Sequence, residues 1–439
     1  GAYWLPIARE EGSISLFSTP AQKASPTRRP TRTASNKTEA PAPTEAPVAT
    51  EAAQPTIQPP PSEAPVSEPI QLEIWTTESG NSLIYLQELA DTFRSTNPNT
   101  TITFTSQPAG DFINILEVAF AAGDPPDLIL YSPVQMRTYA QRDFLYPVDD
   151  LMDMSQFSPS LVDEVRMDGK TWGIPLFTSG QLVLYYNKNI ITSPPQDTDQ
   201  MIELAKQHGL SYYHNNWFFA IPWLGGFNGS MMQGESTILE MNTNEMVNML
   251  TFVSSLTNEY NLLPAETEYG SVDNDFTNAK TGLCLNGSWS YTYYQTSLGD
   301  DLGVARLPAV SSTGKYPAPL VYGVDFFIAN EKIDPNKLQS IAAFLQYATN
   351  DQNQIMLAQQ LTYLPSRPVL YSDPVIQGNP LLAVTAQQMS NSFPEWMRIN
   401  WDCVFTNASM IELLTQDETP QETAQRWQTN METCLQSNP

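Results

Sequence analysis

At 439 residues the chain exceeds one ordinary hydrophobic core, and its 41% hydrophobic content, with nine Trp, nineteen Tyr and eighteen Phe, suits two globular units. A formal net charge of -26 opposes nucleic acids and polyphosphates, which require basic tracks, so no nucleic-acid partner is expected. Two histidines, His208 and His214, and three cysteines without a Cys-x-x-Cys pair argue against a zinc site, and no metal or cofactor is expected.

The first 69 residues are composed differently from the rest. From Thr19 to Pro69 the chain is dominated by Pro, Thr, Ala, Ser and Glu and has almost no large apolar residue to build a core. Runs such as Ala-Pro-Ala-Pro-Thr-Glu-Ala-Pro at 40–47 favour extended polyproline II, about 3.1 Å per residue, so 1–69 reads as a disordered stalk. The opening residues 1–8 are too short and too Pro-broken to span a bilayer. A stalk serves a domain held away from a surface, so an extracellular or periplasmic protein is expected, tethered to the membrane by an anchor or export signal upstream of this chain.

From residue 70 strands and helices alternate. A strand over 71–75 leads to an amphipathic helix over 83–95, whose Leu86, Leu89, Ala90 and Phe93 follow helical spacing. A strand over 101–105, a helix over 111–122 and a buried strand over 127–131 complete a βαβαβ run, hence a parallel sheet. Such sheets bind ligands beyond the carboxyl ends of their strands, here residues 76–80 and 131–132. Residues 173–175 and 182–186 read as an extended segment passing between lobes, with Ser179 and Gly180 as its flexible point. A second extended run spans 321–328, with Gly323 supplying hinge-like freedom, and a helix covers 334–349. Cys284 reads as a buried strand residue. Near the C-terminus, helices over 402–414 and 419–435 form an antiparallel hairpin that brings Cys403 and Cys434 together. A disulfide is expected there, the alternative being two buried free thiols.

Four stretches carry a wider pattern: Leu-Glu-Ile-Trp-Thr-Thr at 72–77 with its helix; Ala-Gly-Asp-Pro-Pro-Asp-Leu at 122–128; Gly-Lys-Thr-Trp-Gly-Ile-Pro at 169–175 with Leu-Tyr-Tyr-Asn-Lys at 184–188; and 276–289 with Leu-Gly-Val-Ala-Arg-Leu-Pro at 302–308. In order and spacing, over roughly 70–368, they resemble the family 1 extracellular solute-binding proteins of ABC importers, the sugar-binding, maltose-binding-protein-like group. The resemblance implies an α/β, two-lobed periplasmic-binding-protein-like fold of type II with a hinge between its lobes. It divides the chain into lobe 1 (70–179), lobe 2 (180–322), a return to lobe 1 (323–365) and mainly lobe 2 helices (366–439). The crossings fall near Ser179, Gly323 and Pro365.

The resemblance further implies a monomeric receptor that binds a mono- or oligosaccharide in the interlobe cleft, closes about the hinge and docks on ABC permease subunits. Aromatic faces suit pyranose C–H faces, while carboxylates and amides suit hydroxyls. Trp289, after Asn-Gly-Ser, stands where the family carries a cleft Trp. Tyr131 ends a strand at the crevice, and Thr77, Glu78 and Ser79 follow another, where they either bind hydroxyls or cap the next helix. Phe177 and Thr178 precede the first crossing. Trp217, Phe219 and Trp223 form an aromatic cluster, with Trp223 its expected exposed member. Asp325 and Arg367 lie at later crossings, as ligand contacts or as hinge salt-bridge partners. Trp396, with Phe393, offers a further stacking face.

No Gly-x-Ser-x-Gly elbow, P-loop or His-Glu-x-x-His helix occurs, and no carboxylate pair is singled out, so no catalytic residue and no enzyme activity are expected. Two alternatives to carbohydrate import stay open: a surface-tethered sensor for a signalling partner, and a binder of another polar metabolite such as a glycerol phosphodiester.

Overall fold

In strand β1 (Ile70–Thr76) Leu72, Ile74 and Thr76 are buried while Gln71 and Glu73 face solvent, the period-2 pattern of a sheet with one covered face. The computed structural model describes residues 69–437 apart from 233, 235, 331 and 332. The expected stalk, but for Pro69, lies outside the described residues. The helix Gly80–Thr96 follows and buries Tyr85, Leu86, Leu89, Ala90 and Phe93 against the sheet. β2 (Thr100–Ser106) pairs with β1 in parallel from Ile70–Thr100 to Thr76–Ser106. After the helix Phe112–Ala121, β3 (Leu128–Tyr131) flanks β1 on its other side, also in parallel.

Short strands β4 (Leu145–Tyr146), β5 (Arg166–Met167) and β6 (Lys170–Thr171) lead to β7 (Gly173–Ser179). The chain then crosses into β8 (Leu182–Asn187), followed by β9 (Leu210–Tyr212), β10 (Leu283–Gly287) and β11 (Leu302–Ala305). It returns in β12 (Leu320–Ala329), and β13 (Leu364–Pro365) and β14 (Phe393–Pro394) come last.

Beside the two-stranded β5-β6 sheet, two larger sheets result among the described residues, each the floor of one lobe. The first runs β13-β7-β12-β3-β1-β2, with β4 and β14 also on β12; the second runs β11-β8-β10-β9. The first sheet is mixed, since β12 runs antiparallel to both β3 and β7. That differs from a purely parallel sheet because β12 re-enters from the second lobe, opposite in direction to the βαβ strands. Helices Pro335–Ala348 and Asp351–Leu361 cover this sheet, where Phe344 meets Phe93 at 5.4 Å, Phe326 at 5.9 Å and Phe104 at 6.2 Å. Edge-to-face contacts of this kind add to their area burial.

The crossing from β7 to β8 turns at Gly180, whose φ of +88° an L side chain rarely adopts, with the Tyr322 ring lying where a Cβ would project. Two buried amides hold the chain on either side. Gln181 donates to the Thr385 carbonyl and accepts from Gln388, both at 3.1 Å, while Gln388 also donates to the Leu182 carbonyl. Gln354 donates to the Leu176 carbonyl at 2.6 Å and accepts from the Ser366 N–H at 2.9 Å. Gly323 does not take a left-handed conformation. Its missing Cβ instead makes room for the carboxylate of Asp325, so the freedom expected of it is steric.

The C-terminal hairpin differs from a pair of continuous helices. Its first arm is broken into Trp401–Asn407 and Ile411–Leu414, and the carbonyl of Ser409 in the break accepts from Trp427 Nε1 at 2.9 Å and Arg426 Nη2 at 3.1 Å. Its second arm, Pro420–Ser437, packs with the helix Asn244–Asn258, and Trp401, Val404, Trp427 and Met431 join the core of the second lobe. Ile376, Leu382 and Met389 belong to a separate cluster with Leu161, Val321, Ala358 and Leu364. Cys403 and Cys434 are disulfide-bonded, with Cα atoms 5.6 Å apart and a sequence separation of 31. Closing a loop of that length stabilises by about 3–4 kcal/mol in the chain-entropy account. Replacing both cysteines by Ser is expected to lower the free energy of unfolding by about 2–4 kcal/mol in urea titrations. Equal midpoints for the oxidised and double-Ser proteins would count against it.

Candidate functional site

The carboxyl ends of β1 and β3 carry a polar rim. Thr76 is buried and its Oγ1 accepts from the Glu78 N–H at 3.1 Å, so the turn out of β1 is fixed from within. Thr77 and Glu78 are half-buried and Ser79 is exposed. Ser79 occupies the N-cap position of Gly80–Thr96, but its hydroxyl makes no capping bond there. Tyr131 is half-buried with its ring 4.7 Å from Phe112, and burial raises its hydroxyl above the ordinary tyrosine range. Beside it, the Ser132 hydroxyl is buried without a hydrogen-bond partner.

In the second lobe the ends of β9 and β10 carry an aromatic wall. Asn216 caps the helix Trp217–Ala220 by accepting from the Phe218 N–H at 2.9 Å, and this sets the rings that follow β9. Trp289 sits in a 3-10 turn directly after β10, and its indole occupies the place a Cβ of Gly287 would need. Phe218 lies 5.9 Å and Phe219 6.2 Å from that indole, and Tyr269 and Tyr213 pack 5.8 Å apart beside them.

A chain of hydrogen bonds underlies the wall. Trp289 Nε1 donates to the Tyr269 hydroxyl at 2.7 Å, and that hydroxyl reaches Asn286 Oδ1 at 3.3 Å. Asn286 donates to Asp273 Oδ1 at 3.0 Å and to the Tyr294 hydroxyl at 2.7 Å, while Tyr294 also donates to Asp273. Burial first, and then the Asp273 carboxylate, push the Tyr269 hydroxyl up to about 12, so it stays protonated at neutral pH. Burial likewise raises the thiol of Cys284, keeping it protonated beneath Tyr294. An arrangement of this kind orients rings.

The other residues expected at the site are buried or ion-paired within the fold. Trp223 is 0% exposed, not the exposed member of its cluster; its indole donates to Tyr212 Oη at 2.9 Å and its ring meets Phe252 at 4.7 Å. Its helix, Pro222–Gly226, packs on Asn244–Asn258 and seals the ring inside. Trp217 is buried against Trp401 and Phe405, with its indole N–H unpartnered. Phe177 and Thr178 are buried in β7, which pairs with β12 and β13; Phe177 stacks on Tyr363 at 4.3 Å and Thr178 donates to the Tyr322 carbonyl. Arg367 is ion-paired with Asp351. Trp396 is buried, donating to Asp163, and Asp325 is wholly buried. An open depression of about 600 Å³ runs along the helix Phe112–Ala121 between Asp111 and Asp124, with Trp75 of β1 beside it.

A family model for bacterial extracellular solute-binding proteins matches residues 88–384, well over half of the chain. The chain belongs to that family. The maltotriose-binding protein of Pyrococcus abyssi is 24% identical over 333 residues, 73% of this chain and 72% of that protein. The maltodextrin-binding protein MdxE of Bacillus subtilis is 20% identical over 330 residues, 71% of this chain and 77% of its own. Among solved structures, the maltose-binding periplasmic protein of Listeria monocytogenes in complex with maltose superposes with a TM-score of 0.75 at 19% identity, covering 84% of this chain and 99% of that one. The cyclic α-maltosyl-1,6-maltose binding protein of Arthrobacter globiformis also gives 0.75, at 15% identity over 84% of this chain and all of its own. These superpositions establish a two-lobed binding-protein fold. No helix among the described residues is long and apolar enough to cross a membrane.

In this extracellular solute-binding protein the Trp289 indole is set by the absence of a side chain at residue 287. Gly287→Ala is expected to displace that ring, costing about 1–3 kcal/mol of stability and altering the near-UV circular dichroism. A variant with wild-type stability and an unchanged near-UV spectrum would show that the ring does not depend on Gly287.

Proposed function

We propose that the protein is the solute-binding component of an ABC importer for a carbohydrate, specifically a malto-oligosaccharide. The observation that carries the reading is the aromatic wall around Trp289 and Tyr269, at the strand ends of one lobe, paired with the polar rim of Thr77, Glu78, Ser79 and Tyr131, hydroxyls and a carboxylate, at the strand ends of the other. Pyranose rings present C–H faces to the first and hydroxyls to the second. The names of the maltotriose- and maltodextrin-binding relatives support the same class of ligand.

The lobes are 70–179 with 323–365, and 180–322 with most of 366–439, and they close on the ligand about the crossings near Ser179, Gly323 and Pro365. Closure shifts the population toward the form in which both walls touch the ligand. The protein acts as a monomer outside the cell or in the periplasm, tethered through residues 1–69, delivers its ligand to permease subunits and leaves it chemically unchanged.

Calorimetric titration with maltose, maltotriose and maltotetraose tests this reading. Saturable heat is expected, with Trp289→Ala weakening binding at least about tenfold, about 1.4 kcal/mol, and the sugar recovered intact. Absence of both heat and thermal stabilisation with every malto-oligosaccharide at millimolar concentration would refute the ligand assignment.

A further inference from the structure

Three carboxylic acids meet where the chain passes between the lobes, and among the described residues none of them is paired with a cation. Glu164 ends the helix Pro159–Glu164, Asp325 lies in β12 and Glu395 follows β14; all three are 0% exposed. Glu164 joins the segments. Its carboxylate accepts from the Gly323 N–H at 2.9 and 3.1 Å, and its carbonyl accepts from the Met397 N–H at 2.9 Å. The Glu395 N–H in turn donates to the Val321 carbonyl of β12 at 3.0 Å. Neither oxygen of Asp325 nor of Glu395 has a hydrogen-bond partner.

None of the charged groups of the surrounding segments is ion-paired with these carboxyls among the described residues. On the helix of Glu164, Asp163 is taken by Arg398 and Trp396. Arg398, three positions beyond Glu395, also bonds the carbonyls of Asp163 and Arg166, and its Nε is buried and unpartnered. Arg367, after β13, pairs with Asp351. On the β3 side, Tyr131 stands opposite Asp325 in register, held neutral by burial; Arg137, whose Nε is buried and unpartnered, has its pKa lowered by burial and raised in part by Asp168. Buried carboxylates without a cation take up protons rather than bear charge.

We propose that Glu164, Asp325 and Glu395 form a proton-operated latch: protonated, they let their three segments pack together beside the crossing at Gly323, and loss of those protons loosens it. Burial, and then the neighbouring Asp325 and Glu395, raise Glu164 well above the carboxylate range, against the Gly323 N–H that favours its anion. Burial alone pushes Glu395 from 4.5 up to about 8 and also raises Asp325. The packed form therefore holds protons that an opened, hydrated form releases. For Glu395 the stabilisation is complete below pH 4.5 and is lost as the pH rises through about 8. Between those values each pH unit favours opening by about tenfold per proton released.

The latch is independent of the ligand assignment, and its test uses the full chain without sugar. Hydrogen exchange is followed as protection factors, corrected for intrinsic exchange chemistry, in peptides covering 320–325 and 393–399, with 283–287 as the reference. From about pH 6 to about pH 8.5 protection of the first two is expected to fall at least about tenfold relative to the reference. Glu395→Gln is expected to flatten that fall, and Asp325→Asn serves the same purpose where the first variant does not fold. A flat wild-type profile overturns the latch, as does a wild-type slope retained in either folded variant.

Discussion

The pairing of β7 with β12 is the constraint on which the rest of the molecule depends. Tyr322 to Phe327 run antiparallel to Ser179 to Gly173, with an irregularity between Val324 and Asp325. One strand leaves the first sheet for the second lobe and the other returns from it. Each lobe can therefore complete its own sheet only with these two strands in register. Gln181 with Gln388, and Gln354 with Ser366, fix the two sides of that junction through buried amides whose removal would leave backbone carbonyls unsatisfied. The relation of one lobe to the other is set at a few crossing residues, leaving the strand ends free to carry binding groups.

Those strand ends are built in contrasting ways. The first lobe offers short polar side chains at the end of β1 and a tyrosine at the end of β3. The second presents rings held by a buried polar chain from Asp273 through Asn286 and Tyr269 to Trp289. A low-dielectric network with each member bonded rigidifies what rests on it. An aromatic wall so held loses little conformational freedom when a sugar stacks on it.

Most of the first lobe was legible in the sequence, because period-2 alternation in 71–75 and 101–105 and helical spacing at Leu86, Leu89 and Phe93 are local signals. Helix ends were less so: the helix expected over 83–95 begins at Gly80, and the one expected over 402–414 is broken around Ser409, whose carbonyl is taken by Arg426 and Trp427 of the hairpin's second arm. Trp289 was marked by its Asn-Gly-Ser setting. Tyr269 and Asp273, which hold it, lie in a helix with no motif and meet it only in three dimensions. Trp223 and Trp217 carry the same local signal as a binding ring, and only packing against Phe252 or Trp401 distinguishes them. Asp325 stood out as a charge in an apolar run. Its companions Glu164 and Glu395, more than 60 positions away on either side, were invisible until the fold brought them together.

A receptor that captures its ligand between two lobes must bring those lobes together when it binds. The direct measurement is a distance distribution between spin labels at two exposed positions, Asn81 in the first lobe and Thr292 in the second, with and without maltotriose at a concentration where calorimetry shows binding. The account predicts that ligand collapses the distribution to a single, shorter distance. An unchanged distribution in the presence of measured binding would contradict it.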